Sequence, residues 1–122
     1  MNIEVLLVDE DDDVLDIVET FLQREDDLDV TGENDPEQAL EMAQEGDYDV
    51  VVSDYKMPGL DGLELCEALR ASGDGMPFVL FSAREPEDVQ PAAEEAGVNS
   101  FVQKGTGTEQ YSVLAQEVRD AV

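Results

Sequence analysis

The sequence predicts an α/β fold: a five-stranded parallel sheet with five helices on both of its faces, in a single domain spanning residues 1–122. Five short apolar segments alternate with five stretches whose apolar residues recur at helical spacing. Strict alternation of single strands and helices requires crossover connections, and right-handed crossovers distribute the helices over both faces. The first and third apolar segments, Val5 to Val8 at the core of the first, also stop abruptly at acidic residues. Such runs mark strands buried on both faces, and here each delivers a carboxylate to its carboxyl end.

The first strand is Ile3-Glu4-Val5-Leu6-Leu7-Val8, followed by five consecutive carboxylates, Asp9 to Asp13. Val14, Leu15, Ile17, Val18, Phe21 and Leu22 then recur at helical spacing, predicting a helix from about Asp12 to Arg24. Leu28 to Gly32 is a short second strand. Asp35-Pro36 opens the second helix as cap and first-turn proline, and Gly46 closes it. Val50-Val51-Val52 is the third strand and ends at Asp54. Met57-Pro58-Gly59 turns the chain, Asp61 is placed to cap the third helix, and Leu63, Leu65, Cys66 and Leu69 supply its apolar positions. After the loop Ser72 to Gly75, Pro77 to Phe81 is the fourth strand, ending at Ser82-Ala83. Pro91 removes a donor and disfavours helical geometry at Gln90, so the fourth helix is expected to be regular only from Pro91 to Gly97, with Glu85 to Gln90 a loose turn. Asn99 to Gln103 is the fifth strand, Lys104-Gly105-Thr106-Gly107 a loop, and Thr108 to Ala121 the last helix.

The formal charge is −26, from 32 acidic residues against six basic ones. A surface of that sign repels nucleic acid and anionic membranes. Self-repulsion acts over about 30 Å at ~0.01 M salt but only ~3 Å at 1 M, so the composition suits a salt-rich cytoplasm. No apolar run approaches the ~20 residues needed to span a bilayer, and Met1-Asn2-Ile3-Glu4 is no signal sequence; the chain reads as soluble and cytoplasmic. Cys66 is the only cysteine, which excludes an internal disulfide. The absence of histidine excludes a phosphohistidine within the chain and the usual ligands of zinc.

In an open α/β sheet the site lies outside the carboxyl ends of the strands. Asp9, Glu10 and Asp54 fall there, and three converging carboxylates call for a hard divalent cation with oxygen ligands. A carboxylate can also act as nucleophile in phosphoryl transfer.

The segment DVVVSDYKMPGLDG, Asp49 to Gly62, resembles the phosphoacceptor segment of response-regulator receiver domains. That resemblance covers essentially the whole chain and implies a flavodoxin-like sheet of order 2-1-3-4-5. It implies that Asp54 is the phosphoacceptor, that Asp9 and Glu10 hold Mg2+ with Asp54 and the backbone carbonyl of Lys56, and that the hydroxyl of Ser82 and the ammonium of Lys104 bind the phosphoryl oxygens. Asp11 competes as a metal ligand. Phe101 occupies the place of an aromatic switch residue that turns inward as Ser82 moves, altering the surface of the fourth helix, fifth strand and fifth helix. The phosphoryl donor implied is a histidine kinase or a phosphotransfer protein. An output or sensor domain in a longer parent chain is compatible with an ending directly after the fifth helix, and the domain itself is implied to be an acceptor rather than an enzyme. Beyond the resemblance, Lys56, Arg84 and Lys104, half of the basic residues, all fall on loops at the strands' carboxyl ends. Lys56 and Arg84 are expected to form a positive rim that attracts the donor and slows attack by water.

Three departures bear on these expectations. Glu10 stands where Asp is commoner, and Phe101 lacks a hydroxyl. Gly105 replaces a proline preceded by a cis peptide; a cis bond before glycine costs about 2.5–4 kcal/mol, so that geometry is not implied. A phosphorylation-independent interaction module is the alternative function. Asp9-Glu10-Asp11 also resembles the Asp-x-Asp of haloacid-dehalogenase-type phosphatases, but Asp13 stands where those place Thr or Val. An EF-hand loop lacks its glycine at Val14 and its glutamate at Thr20. A flavin-binding module would need a phosphate loop where Asp9 to Asp13 stand.

Overall fold

The computed structural model describes residues 2–105 and 107–122; the expected loop position Thr106 lies outside them. The elements run β1 (Ile3–Val8), α1 (Asp12–Gln23), β2 (Leu28–Glu33), α2 (Pro36–Glu45), β3 (Val50–Ser53), α3 (Gly62–Ala71), β4 (Phe78–Ser82), α4 (Pro86–Ala96), β5 (Ser100–Gln103) and α5 (Glu109–Ala121). All strand pairs are parallel, in the order β2-β1-β3-β4-β5. The expected fold class and strand order are therefore those found.

Alternation along the strands builds two cores. Val5 and Leu7 of β1 face α1 and α5, meeting Leu15, Val18, Leu22, Leu114 and Val118. Leu6 and Val8 face α2, α3 and α4, meeting Ala39, Leu65, Leu69, Val89 and Ala93. The central strand β3 is fully buried at Val50, Val51 and Val52 because helices cover both its faces. Burying each such aliphatic side chain contributes about 1.5–3 kcal/mol. Cys66 lies within the second core, as an apolar position of α3 should.

The caps follow the sequence closely. Asp35 accepts from the Glu37 amide ahead of Pro36, and Asp61 forms a reciprocal capping box with Glu64. Asp11 accepts from the amides of Asp13 and Val14 and so starts α1. Gly59 turns the chain before α3 with φ of +79°, a conformation that favours glycine. Among the described residues no peptide bond is cis.

Helix α4 departs from expectation. It is helical from Pro86, through Pro91, to Ala96, where a loose turn was expected over Glu85 to Gln90. Pro86 suits the first helical position, and Val89, Ala93 and Ala96 are buried on one stripe. Pro91 lies on the opposite, exposed face, where water can solvate the carbonyl of Glu87 that the proline leaves without its helical donor. Burial of the apolar stripe thus overrides local propensity, while the helix start has no side-chain cap bond.

Candidate functional site

Register brings the two acidic strand ends together. Val8 of β1 pairs with Ser53 of β3, so the next residues, Asp9 and Asp54, leave adjacent strands side by side. The Asp54 amide donates to the Val8 carbonyl at 2.9 Å and the Asp9 amide to Glu33 at 3.3 Å. On the other side, Ser82 pairs with Gln103, and the Lys104 amide donates to the Ser82 carbonyl at 2.8 Å. Lys104 thereby reaches inward from the end of β5.

Its ammonium lies 3.1 Å from Asp9 Oδ2 and 3.4 Å from Asp54 Oδ1. One cation between two carboxylates leaves a net negative site. Asp9 is buried, 5% exposed, and its other oxygen accepts from the Asp11 amide at 3.0 Å. Asp54 Oδ1 accepts from the Tyr55 amide at 2.8 Å. Burial pushes the Asp54 carboxyl above its usual range; the charge of Lys104 opposes that rise, the negative charge of Asp9 adds to it, and the Tyr55 amide opposes it.

The turn behind Asp54 is tight. Ser53 Oγ donates to the Asp54 carbonyl at 2.8 Å, and the Gly62 amide donates to the Tyr55 carbonyl at 2.7 Å. A Cβ on Gly62 would collide with the Asp54 carbonyl and sit 2.9 Å from Leu80 Cδ1, which is the physical reason for glycine after Asp61.

Ser82 is buried at the end of β4, where its Oγ accepts from the Arg84 amide at 3.2 Å and keeps its own proton to donate. Lys56 and Arg84 converge on one aromatic ring. Lys56 Nζ lies 4.7 Å and Arg84 Cζ 5.7 Å from the centroid of Tyr55. Phe101 is half-buried against the α4 side of the sheet, bordering a small cavity with Gln90, Ala93, Glu94 and Val98. Glu10 is exposed, and Asp11 is engaged as the cap of α1 rather than turned to the other carboxylates. Asp9 and Asp54 are thus joined through the Lys104 ammonium, Ser82 is tied to Lys104 through backbone, and Glu10 follows Asp9 as an exposed carboxylate.

Among the described residues no group of three or more Asp, Glu, His or Cys is arranged as a ready metal cage. The donor chemistry nonetheless fits a hard cation, since Asp9 and Asp54 offer only oxygen and carry one negative charge more than Lys104 neutralises.

Tyr55 was not visible in the sequence as a site element, because its packing under two cations depends on loops that meet only in the fold. The capping role of Asp11 was legible in principle, standing just before an apolar periodic run, but five successive acids masked the signal.

Comparison with known proteins places this geometry. The model of the response regulator receiver domain matches residues 5–115. Response regulator MprA of Mycobacterium ulcerans is 34% identical over 104 residues, covering 85% of this chain and 44% of that protein. MprA of Mycobacterium tuberculosis strain H37Rv is 33% identical over 104 residues, covering 85% and 45%. The chain spans less than half the length of these relatives. Among solved structures, the receiver domain of the Francisella response regulator 1452 has a TM-score of 0.86 at 26% identity, covering 98% of this chain and 96% of that one. Chemotaxis response regulator CheY4 of Vibrio cholerae has a TM-score of 0.85 at 26% identity, covering 97% and 99%. TrrA of Thermotoga maritima, solved in complex with Mg(2+)-BeF, has the same fold, with a TM-score of 0.85 at 22% identity over the full length of both chains. The matched region takes in both acidic strand ends and the lysine between them, and the chain belongs to the response regulator receiver domain family, the phosphoacceptor domains of two-component signalling.

Proposed function

We propose that this receiver accepts a phosphoryl group on Asp54 from a histidine kinase or phosphotransfer protein and passes the change to its α4-β5-α5 surface. The observation that carries the reading is Lys104 Nζ, held 3.1 Å from Asp9 and 3.4 Å from Asp54. An Asp54 oxygen attacks phosphorus, and the bond from phosphorus to the donor's leaving group breaks, that group departing with the electron pair. Lys104 and the Ser82 hydroxyl are aimed at the charge on the phosphoryl oxygens, so catalysis here is positioning and neutralisation. Asp9, Glu10, Asp54 and the Lys56 carbonyl would hold Mg2+, which supplies further charge neutralisation when bound. The complex of TrrA with Mg(2+)-BeF supports that assignment by analogy of fold.

Lys56 and Arg84, gathered by Tyr55, form the rim that draws in the anionic donor. Ser82 moving toward the phosphoryl group frees space into which the Phe101 ring turns, shifting α4 against β5. The charge of −26 supports a cytoplasmic, salt-adapted domain that contacts neither nucleic acid nor membrane directly. No helix of the described residues is long and apolar enough to cross a membrane. Residues 1–122 act as one receiver unit, and an output or sensor module would belong to a longer parent chain.

The test is intact mass after incubation with acetyl phosphate and Mg2+ in molar salt. A single labile phosphoryl adduct on the native chain, absent from Asp54→Asn, is expected. A folded protein without adduct would overturn the proposal in favour of a phosphorylation-independent interaction module. In the same assay, Lys56→Ala with Arg84→Ala is expected to slow phosphorylation and shorten the adduct's lifetime.

A further inference from the structure

Lys104 is held on one side by the ladder to β4, but the residue after it has no comparable packing. Gly105 is exposed, and a Cβ placed on it would meet nothing within 4 Å. Glycine in an unpacked loop is conformationally free, and such freedom would be transmitted directly to Lys104. The structure supplies a restraint from elsewhere. Gln110, in the first turn of α5, accepts from the Gly105 amide through Oε1 at 3.1 Å. Its Nε2 donates to the Gly105 carbonyl at 3.0 Å and to the Gly107 carbonyl at 2.8 Å. Both N–H bonds of the side-chain amide and its oxygen are therefore engaged by this one loop.

The base of this clamp is rigid. Leu114, Ala115 and Val118 anchor α5 in the core, so Gln110 refers the loop to the packed body of the molecule. The start of α5 is consistent with such use, since Thr108 makes no side-chain cap bond and Gln110 instead bonds Gly105 and Gly107. Lys104 is consequently gripped from two directions, by Ser82 through its own amide and by Gln110 through the next residue.

We propose that Gln110 is a positioning residue for phosphoryl transfer, fixing the backbone after Lys104 so that the ammonium stays between Asp9 and Asp54. The proposal rests on the phosphoacceptor reading above. It assigns Gln110 no contact with the phosphoryl group, its effect passing entirely through Lys104.

A double-mutant cycle on the whole chain tests it, with the rate of phosphoryl adduct formation followed by intact mass in acetyl phosphate, Mg2+ and molar salt. Gln110→Ala is expected to slow the reaction about tenfold, as a small misplacement of a charged group does. Gln110→Glu, which keeps the acceptor for the Gly105 amide but sets a carboxylate oxygen against the Gly105 and Gly107 carbonyls, is expected to slow the reaction at least as much as Gln110→Ala. Melting temperatures should stay close to native for both. In a Lys104→Ala background, Gln110→Ala should have no further effect, because the group it positions is gone. An unchanged rate in Gln110→Ala, or a full tenfold effect persisting without Lys104, overturns the inference. If Asp54→Asn still acquires the adduct or Lys104→Ala reacts at the native rate, it is the phosphoacceptor reading that fails.

Discussion

At the scale of single residues, the site depends on close approaches as much as on charges. Gly62 illustrates this, because its missing Cβ lets α3 begin directly against the Asp54 carbonyl. Gly62→Ala would push either the helix start or the Asp54 backbone aside, at a cost of roughly 1–3 kcal/mol typical of overpacking. The expected result is a clear fall in denaturation midpoint together with slower phosphorylation, since the displaced backbone carries Asp54, the proposed acceptor. A native midpoint and native rate would show that the turn accommodates a methyl group. Tyr55 serves the neighbouring side by offering its ring to both Lys56 and Arg84, at 4.7 Å and 5.7 Å from the centroid.

At the scale of elements, the helices differ in how firmly their ends are fixed. Helix α3 starts with a capping box and ends on Arg70, whose guanidinium donates to the carbonyls of Asp74, Met76 and Gly97. Helix α4 shares that anchor at Gly97 but begins without a side-chain cap and carries Pro91 in its interior. Pro91→Ala restores the missing donor on an exposed face and is expected to stabilise the chain by roughly 1–3 kcal/mol, less a little for the freer unfolded state. Hydrogen exchange should show amides of α4 opening faster than those of α3 in the native chain, and slower once Pro91 is replaced. At the far end of α5, Arg119 pairs with Asp27 at 2.8 Å and Glu25 at 2.7 Å, tying the helix to the α1–β2 turn. Its hydrogen bond is the main reason the Asp27 carboxyl lies below its usual range. A carboxyl depressed on folding stabilises the protein above its unfolded pKa, and that contribution disappears as pH falls through the folded value. Arg119→Gln should therefore lower the melting temperature near neutral pH, with the gap to the native chain closing on acidification through the carboxylate range.

At the scale of the whole molecule, what could be read from the sequence divides along a physical line. Apolar periodicity and caps are local, so β3 at Val50–Ser53, the cap at Asp61 and the site end of β1 were all legible. The continuity of α4 through Pro91 was not, because packing of Val89, Ala93 and Ala96 against the sheet outweighs the local penalty. Gln110 and Tyr55 were equally hidden, since each acts across loops that only the fold brings together. Net charge is the one global property that composition alone displays, and it carries the last expectation. With 32 acids on a chain of 122 residues and only six basic residues, the folded state concentrates repulsion that the expanded chain can relieve. Screening shortens the reach of that repulsion from about 10 Å at 0.1 M salt to about 3 Å at 1 M. The melting temperature should accordingly rise steeply with potassium chloride over that range and fall on dialysis to low salt. Because Arg119 and Lys104 occupy short-range pairs that salt weakens rather than strengthens, a positive salt slope would report long-range repulsion specifically. A flat or negative slope would mean that the carboxylates are spaced widely enough to be indifferent to one another, and would remove the physical basis for placing the domain in a salt-rich cytoplasm.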